Sequence, residues 1–418
     1  MIDIRLIEAK PEEVRNLLKK KGVDAPIDEI LSLNQRRKDL IKEVDSLRHL
    51  QNVTSKEIQK NPKDRDALIS RIREIVPKLR ELEEELKKVE DSLNDLILTL
   101  PNLPHESVPE GKDESDNIPI KYCGSIPQFD FTPRDHLELG ETLDLIDIKR
   151  AGKVSGSRFY YLKRELVILE YALIRFVTDL LVEKGFVPVI PPVLVREDIL
   201  YGLGYLPELE DQMYKIPLDE LRLAGTSEHT VVPMFKDEIL DIKDLPQRFI
   251  SFSSCFRREA GSAGKDTRGI LRVHQFDKLE MVSFTLPTKS WEEHEFLLSI
   301  EEEIMSRLNI PYRVVLICAG DLGFPASKKY DIEAWLPGQN RYRETHSCSN
   351  CTDFQARRLN IRYRDEDGDV HYVHILNGTA LAIGRAIIAI MENYQNKDGS
   401  IRVPDVLIPY TKFEVIRR

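Results

Sequence analysis

The chain has 418 residues, 41% hydrophobic and 32% charged, with a formal net charge of -10, which leaves room for two or three compact units and a sizeable core. An acidic body excludes general attraction of nucleic acid, so any nucleic-acid surface has to be a local basic patch. Five scattered cysteines (123, 255, 318, 348, 351) fit a reducing compartment better than a disulfide framework, and the most apolar run, LVILEYALIRFVTDLL, is broken by Glu170, Arg175 and Asp179 and is not expected to span a membrane.

The first residues, MIDIRLIEAK, lack both an apolar signal core and the Arg/Ser-rich look of a transit peptide, so the chain reads as soluble and cytoplasmic. From 27 to 100 the pattern is helical and long. Leu40, Val44 and Leu47 step by four and three; Leu68, Ile72, Ile75, Leu79, Leu82, Leu86, Val89, Leu93, Leu96 and Leu100 alternate those steps without a miss. That heptad seam predicts a coiled coil. KNPKDRD (60–66) stops one helix and starts the next, so the two fold back antiparallel, each roughly 50 Å long at about 1.5 Å per residue. Pro77 is expected to kink the second helix. Between Arg48 and Arg80 stand nine Lys/Arg against four acids, a net of +5, whereas Glu81 to Asp95 nets -5. The tip is basic and the root acidic, which is either incidental charge on a solvated helix pair or an arm that touches phosphates.

PNLPHESVPEGKDESDN (101–117) is a polar, Pro-rich connector and a domain boundary. A helical stretch from Arg164 to Lys184 then runs into GFVPVIPPVLV, whose Pro188, Pro191 and Pro192 exclude a central regular strand. After Asp219 come β-rich segments. The last element is a strand, YVHILNG, feeding a helix, ALAIGRAIIAIMENY. The fold class is α+β: a mainly antiparallel sheet flanked by helices, with an N-terminal antiparallel two-helix coiled-coil arm.

CFRREAGSAGKDTRGILRVHQFDKLE (255–280) carries the chemistry. On a strand, alternate residues share a face. Arg272, His274, Phe276, Lys278 and Glu280 take one side, Val273, Leu279 and Met281 the other, and Arg257 and Glu259 share a face on the preceding strand. With GSAGKDTRG as the turn, a hairpin offers Arg257, Glu259, Phe276 and Glu280 to one surface. A guanidinium forks onto phosphate, a carboxylate accepts from an exocyclic amine, and an aromatic ring stacks on a base. The set suits a nucleotide on an open sheet. The loop is not a P-loop, because its spacing is wrong and it lacks the Ser/Thr that holds magnesium. His346, Cys348 and Cys351 form H-x-C-x-x-C, but structural zinc takes four ligands and no partner pair stands nearby, so no structural zinc is expected.

FRREAGSAGKDTRG with HQFDKLE resembles motif 2 (about 252–282) of the class II aminoacyl-tRNA synthetases, in the form seen in the seryl-tRNA synthetase family. Other segments agree in order. GFVPVIPPVLV resembles motif 1 (near 185–195), the dimer element; GTSEH (225–229) resembles the serine-binding loop; GDLGFPASKKYDIEAW, YRETHSCSN and DFQARR resemble the run between motifs 2 and 3. LNGTALAIGR resembles motif 3 (about 373–394), and ENYQNKDGSIRVPDVLIPY resembles the family's C-terminal segment. The resemblance covers essentially the full chain. It implies an N-terminal tRNA-binding domain (1–103) whose arm spans about 27–100, and a catalytic domain (104–418). HTVVP (229–233) and Pro77 depart from the family pattern.

The resemblance also implies roles. Arg257 clamps the ATP α-phosphate and the serine carboxylate, Glu259 reads the adenine amine, Phe276 stacks on the ring and Val273 offers a backbone contact. Arg258, Thr345 and His346 complete the ATP site. Arg385 sits over the γ-phosphate, and Glu344 and Ser347 hold the Mg2+ that bridges phosphates; Arg257, Glu344 and Arg385 form the catalytic set. Thr226, Ser227, Glu228 and Glu280 surround serine, and Asn377 and Thr379 close its pocket. The implied reaction is serine–tRNA ligation, activation of L-serine by ATP and then transfer to the 3' end of tRNA(Ser), with tRNA(Sec) open as a second acceptor. The implied partners are tRNA, through the arm and the motif 2 loop, and a second copy, through motif 1. Such chemistry needs positioning and charge neutralisation more than an acid–base side chain, so no covalent enzyme intermediate is expected. Two rivals remain: a paralogue loading a carrier other than tRNA, for which a basic-tipped arm has no use, and a non-catalytic scaffold, in which phosphate ligands would be idle.

Overall fold

The computed structural model describes residues 1–60, 64–261 and 268–418. The chain divides into two compact units, Met1–Leu103 and Pro104–Arg418. In the first, short helices α1 (Ile4–Ala9) and α2 (Pro11–Lys20) precede α3 (Ile27–Lys60) and α4 (Arg65–Leu98). Asp3 caps α1 by accepting from the Arg5 N–H, and Pro11 opens α2, where a missing N–H costs nothing.

Helices α3 and α4 are antiparallel: ion pairs run from Arg37–Glu90 to Arg48–Glu83, one number rising as the other falls. These exposed pairs contribute little; the seam holds the helices together. Every predicted seam position from Leu68 to Leu100 is buried or half-buried, with Leu40 and Val44 buried opposite. At the root, Ile27, Ile30, Leu93, Ile97 and Leu100 pack with Ile7, Val14 and Leu18 into one small core. The turn expected at 60–66 lies partly outside the described residues. Helix α4 is continuous through Pro77, which is exposed, so the carbonyl one turn back, left without a donor, can meet water.

The second unit is built on an eight-stranded sheet: β1 (Ile118–Cys123), β2 (Val187–Val189), β3 (Gln247–Phe256), β4 (Gln275–Thr285), β5 (Tyr312–Leu316), β6 (Lys328–Leu336), β7 (Arg341–Asn350) and β8 (His374–Ala382). Their order is β1-β5-β6-β7-β8-β4-β3-β2. All pairings are antiparallel except that of β2 with β3. The proline-rich β2 is at the edge, where a missing donor leaves no gap in the ladder. Helices α5 (Glu165–Glu183), α6 (Ser290–Arg307) and α7 (Ile383–Asn393) bury Leu173, Ile300 and Ile387 in the main apolar cluster with Leu279 and Met281 of β4.

Two boundaries differ from expectation. Residues 270–274 are not strand, although they alternate; β4 begins at Gln275, and Arg257 and Glu259 lie beyond the end of β3. Likewise β8 runs on through Thr379 to Ala382, and α7 starts only at Ile383, because pairing with β4 overrides the helical look of the alanines. No described helix is long and apolar enough to cross a membrane.

Candidate active site

The β3–β4 hairpin sets the site. Phe276 faces Cys255, Lys278 faces Ser253 and Glu280 faces Ser251 across the ladder. Period-two alternation sends Leu279 and Met281 into the main core and leaves Lys278 and Glu280 on the other face with Phe276, which at the start of the strand also packs against the edge of that core. Further along that face, Val282 and Phe284 join a second apolar cluster with Val231, Phe249 and Leu359, which anchors the strand under the site.

Glu280 stands opposite Thr379 on β8, just past a bulge after Leu279. Thr379 Oγ1 donates to Glu280 Oε2 at 3.3 Å. The same oxygen forms an ion pair with Lys278 Nζ, which also donates to Thr226 Oγ1 at 2.9 Å. Lys278 and Glu280 are 5% and 2% exposed, so each is the other's compensation for lost hydration.

The 225–228 segment packs over this pair. Ser227 Oγ is 2.6 Å from Ser251 Oγ, which ties the segment to the sheet. Glu228 Oε1 accepts from the Gln355 amide at 2.9 Å, and the Tyr205 phenol lies close to the same carboxylate. Burial, with Glu280 nearby, raises the Glu228 carboxyl above its ordinary range. His229 is buried beside Arg257 and Lys278, and burial pushes its pKa down to about 3. A neutral imidazole can accept, and its Nδ1 takes the Gly225 N–H at 3.3 Å.

Arg257 Nε donates to the Gly225 carbonyl at 3.2 Å, and its guanidinium carbon is 5.3 Å from the Phe276 ring centroid. Thr226, Ser227, Glu228, Arg257, Phe276, Glu280 and Thr379 are thus joined through direct contacts or one intermediary. Asn377, 8% exposed, pairs with Val282 and Ser349 on either side and donates to Cys351 Sγ at 3.7 Å.

A second group lies on β6, β7 and α7. Arg385 Nη1 is 3.1 Å from Glu344 Oε1 and donates to the Glu344 carbonyl at 2.9 Å. The Glu344 side chain is half-exposed, yet its carboxylate is crowded enough for desolvation to oppose the charge; Arg385, Lys329 and Arg257 outweigh that and hold its pKa below the ordinary value. Glu344 and Ser347 are three residues apart and would take opposite faces of a regular strand. The bulge at Thr345 removes that offset, and Asp331 stands opposite Ser347 in the ladder and feels the Glu344 charge. Burial lifts Asp331 to about 7, against the pull of Lys329.

Several expected residues have their contacts inside the protein. Glu259 adopts φ 52°, which breaks the regular alternation expected to align it with Arg257, and pairs with Arg272 at 2.6 Å. Arg258 donates its backbone N–H to the Gln212 carbonyl. Thr345 and His346 are buried and bonded to each other, with Thr345 also donating to the Ile332 carbonyl, while His346 Nε2 has no hydrogen-bond partner. Val273 is buried in the main core. Lys278, Tyr205, Gln355, Lys329 and Asp331 were missed as site residues; only Lys278, by its alternation with Phe276 and Glu280, carried a sequence signal.

Glu344, Ser347 and the buried Asp331 Oδ1, which has no hydrogen-bond partner, are hard oxygen donors and suit magnesium better than zinc. Among the described residues no three His, Cys, Asp or Glu converge as a metal cage; a magnesium held by one or two carboxylates and a substrate's phosphates needs none.

Residues 1–104 match the family model described as seryl-tRNA synthetase N-terminal domain, and 213–394 match the tRNA synthetase class II core domain (G, H, P, S and T). A serine–tRNA ligase of Pyrococcus furiosus is 50% identical, with 100% of this chain and 97% of that protein covered. The crystal structure of a seryl-tRNA synthetase from Pyrococcus horikoshii complexed with ATP is 47% identical, with a TM-score of 0.95 over 100% of this chain and 99% of that one. A cytoplasmic serine–tRNA ligase from Naegleria fowleri, in complex with AMP, is 32% identical, with a TM-score of 0.90 and the same coverage.

Proposed function

The chain belongs to the seryl-tRNA synthetase family, and we propose that the site just described activates L-serine with ATP and transfers the seryl group to the 3' end of tRNA(Ser). The observation that carries the reading is the juxtaposition of a small cluster of buried polar side chains (Thr226, Glu228, Glu280, Thr379) with two arginines, Arg257 beside it and Arg385 on Glu344, whose carboxylate also feels Arg257. The pocket fits an amino acid with a short hydroxyl side chain: Glu228 takes its ammonium, Arg257 its carboxylate, and Glu280 with Thr379 its hydroxyl. Asn377 closes the wall.

Arg257 then holds the serine carboxylate and the α-phosphate together. A serine carboxylate oxygen attacks the α-phosphorus, the bond from that phosphorus to the bridging oxygen breaks, and pyrophosphate leaves with the electron pair. In the second step a hydroxyl of the terminal ribose attacks the seryl carbonyl and AMP departs. Both are reactions in which positioning and neutralised charge do the catalysis. Phe276 offers its ring to the adenine, Val273 and the 257–259 backbone border the base, and Arg385 holds the γ-phosphate so that ATP bends. Glu344 and Ser347 hold magnesium, which supplies charge neutralisation to the phosphates when bound.

The basic stretch of α3 and α4, with Lys56, Arg65, Arg71, Arg73, Lys78 and Arg80 exposed, supports an arm for an RNA backbone. Exposed Ile168, Tyr171, Val187, Ile190 and Leu194, around the edge strand β2, support a homodimer through that face. A cytoplasmic enzyme is the setting these roles imply. The test is charging: purified protein, ATP, magnesium and labelled serine should make acid-precipitable seryl-tRNA with a tRNA(Ser) transcript. Labelling with no tRNA dependence would favour another carrier.

A further inference from the structure

We infer that Lys278 is the specificity-determining counter-charge of the pocket, the group that makes Glu280 a reader of hydroxyls and keeps it from accepting a second ammonium. The inference rests on the serine reading above and deepens it.

Two carboxylates, Glu228 and Glu280, face a pocket whose proposed ligand brings one ammonium. Their partners differ. Glu228 takes its hydrogen bond from a neutral group, the Gln355 amide at 2.9 Å, with the neutral Tyr205 phenol close by. Glu280 takes a full cation: Lys278 Nζ is ion-paired to its Oε2, and both side chains are almost wholly buried. Lys278 is also fixed by Thr226 Oγ1 at 2.9 Å, so it is held from the loop side as well as from the sheet. Glu301 lies nearby with both oxygens buried and unpartnered, and burial, with Glu280 close, raises its carboxyl well above its ordinary value, so it adds no third negative charge. Arg257 is turned toward the Gly225 carbonyl and Phe276. Lys278 therefore cancels one of two negative charges and leaves Glu228 for the substrate's ammonium. Glu280, already ion-paired, has room only for a neutral donor, and Thr379 shows the kind of donor it accepts.

The consequence is sharp for one pair of ligands. L-2,3-diaminopropionate has serine's shape with an ammonium in place of the hydroxyl. Beside Lys278 that ammonium meets a like charge and a neutralised carboxylate, and it should be refused. Without Lys278 it meets an unpaired buried carboxylate.

The experiment is ATP–pyrophosphate exchange by the full-length protein with serine, alanine and L-2,3-diaminopropionate, using wild type, Lys278→Met and Lys278→Arg. Wild type should use serine and reject the diamino acid. Lys278→Met should lose at least tenfold in kcat/KM for serine, and its diaminopropionate-to-serine ratio should rise at least tenfold. Lys278→Arg should keep the wild-type order. An equal loss for all three amino acids, or an unchanged ratio in Lys278→Met, would reduce Lys278 to a structural residue and overturn the inference. Absence of serine-dependent exchange in wild type would instead remove the serine reading itself. If Lys278→Met proves unfolded by thermal melting, Thr226→Val frees the lysine without deleting it and should weaken the discrimination in the same direction; no change there would also count against it.

Discussion

Thr379 on β8 and Glu280 on β4 stand directly opposite each other on adjacent antiparallel strands, and the threonine hydroxyl donates to the carboxylate at 3.3 Å. Two β-sheet neighbours thus supply both a donor and an acceptor to the wall of one small pocket. Removing one of them should affect serine more than alanine, because alanine never used the wall. We expect Thr379→Val to narrow the serine-to-alanine preference in kcat/KM by roughly 10–100-fold. A uniform loss for both amino acids would place Thr379 outside the discriminating contacts.

Arg257 touches both the loop over the pocket and the aromatic ring proposed for the base. Arg257→Ala should lower serine-dependent exchange by about 10²–10³, as for loss of one oriented transition-state donor. Activity within about tenfold of wild type, roughly 1.4 kcal/mol, would contradict its assignment.

The arm can be tested without damaging its root. Ile27, Ile30, Leu93, Ile97 and Leu100 belong to the same core as Ile7 and Leu18, so deleting all of 27–100 would strip the N-terminal unit. Replacing residues 45–85 by a short turn removes the basic stretch and spares that core. Charging of tRNA should collapse while serine activation stays within twofold to threefold, and wild-type charging should weaken steeply with salt. Normal charging by the shortened protein would end the arm's assignment.

Glu301 is fully buried, and both of its oxygens lack partners. Burial, together with Glu280 and Asp331, raises its carboxyl well above the ordinary 4.5. The folded protein therefore keeps a proton that the unfolded chain releases above about 4.5, so this group opposes folding increasingly as pH rises. Glu301→Gln should gain melting temperature relative to wild type between pH 5 and 8, with the gain growing with pH. A pH-independent difference would mean that Glu301 is ionised in the folded state.

Much of this was legible in the sequence, and the reasons for the rest are physical. The seam from Leu68 to Leu100 is a local period, and local periods survive in the fold. Phe276 and Glu280 could be placed on one face because alternation is also local. The misread stretches are those where a distant partner decides. Residues 270–274 alternate but have no ladder partner in β3, and Thr379 to Ala382 have helical composition but pair with β4. Lys278 and Thr226 are 52 positions apart, and Glu228 and Gln355 are 127 apart; no spacing rule joins them.

The most direct test of the central claim, that this pocket activates serine, is ATP–pyrophosphate exchange measured with serine, threonine and alanine in parallel. The account predicts robust exchange with serine, weak exchange with threonine, which only pocket size rejects, and almost none with alanine, which would leave Glu280 and Thr379 unpaired. Exchange with none of them, or equal exchange with alanine and serine, would contradict it.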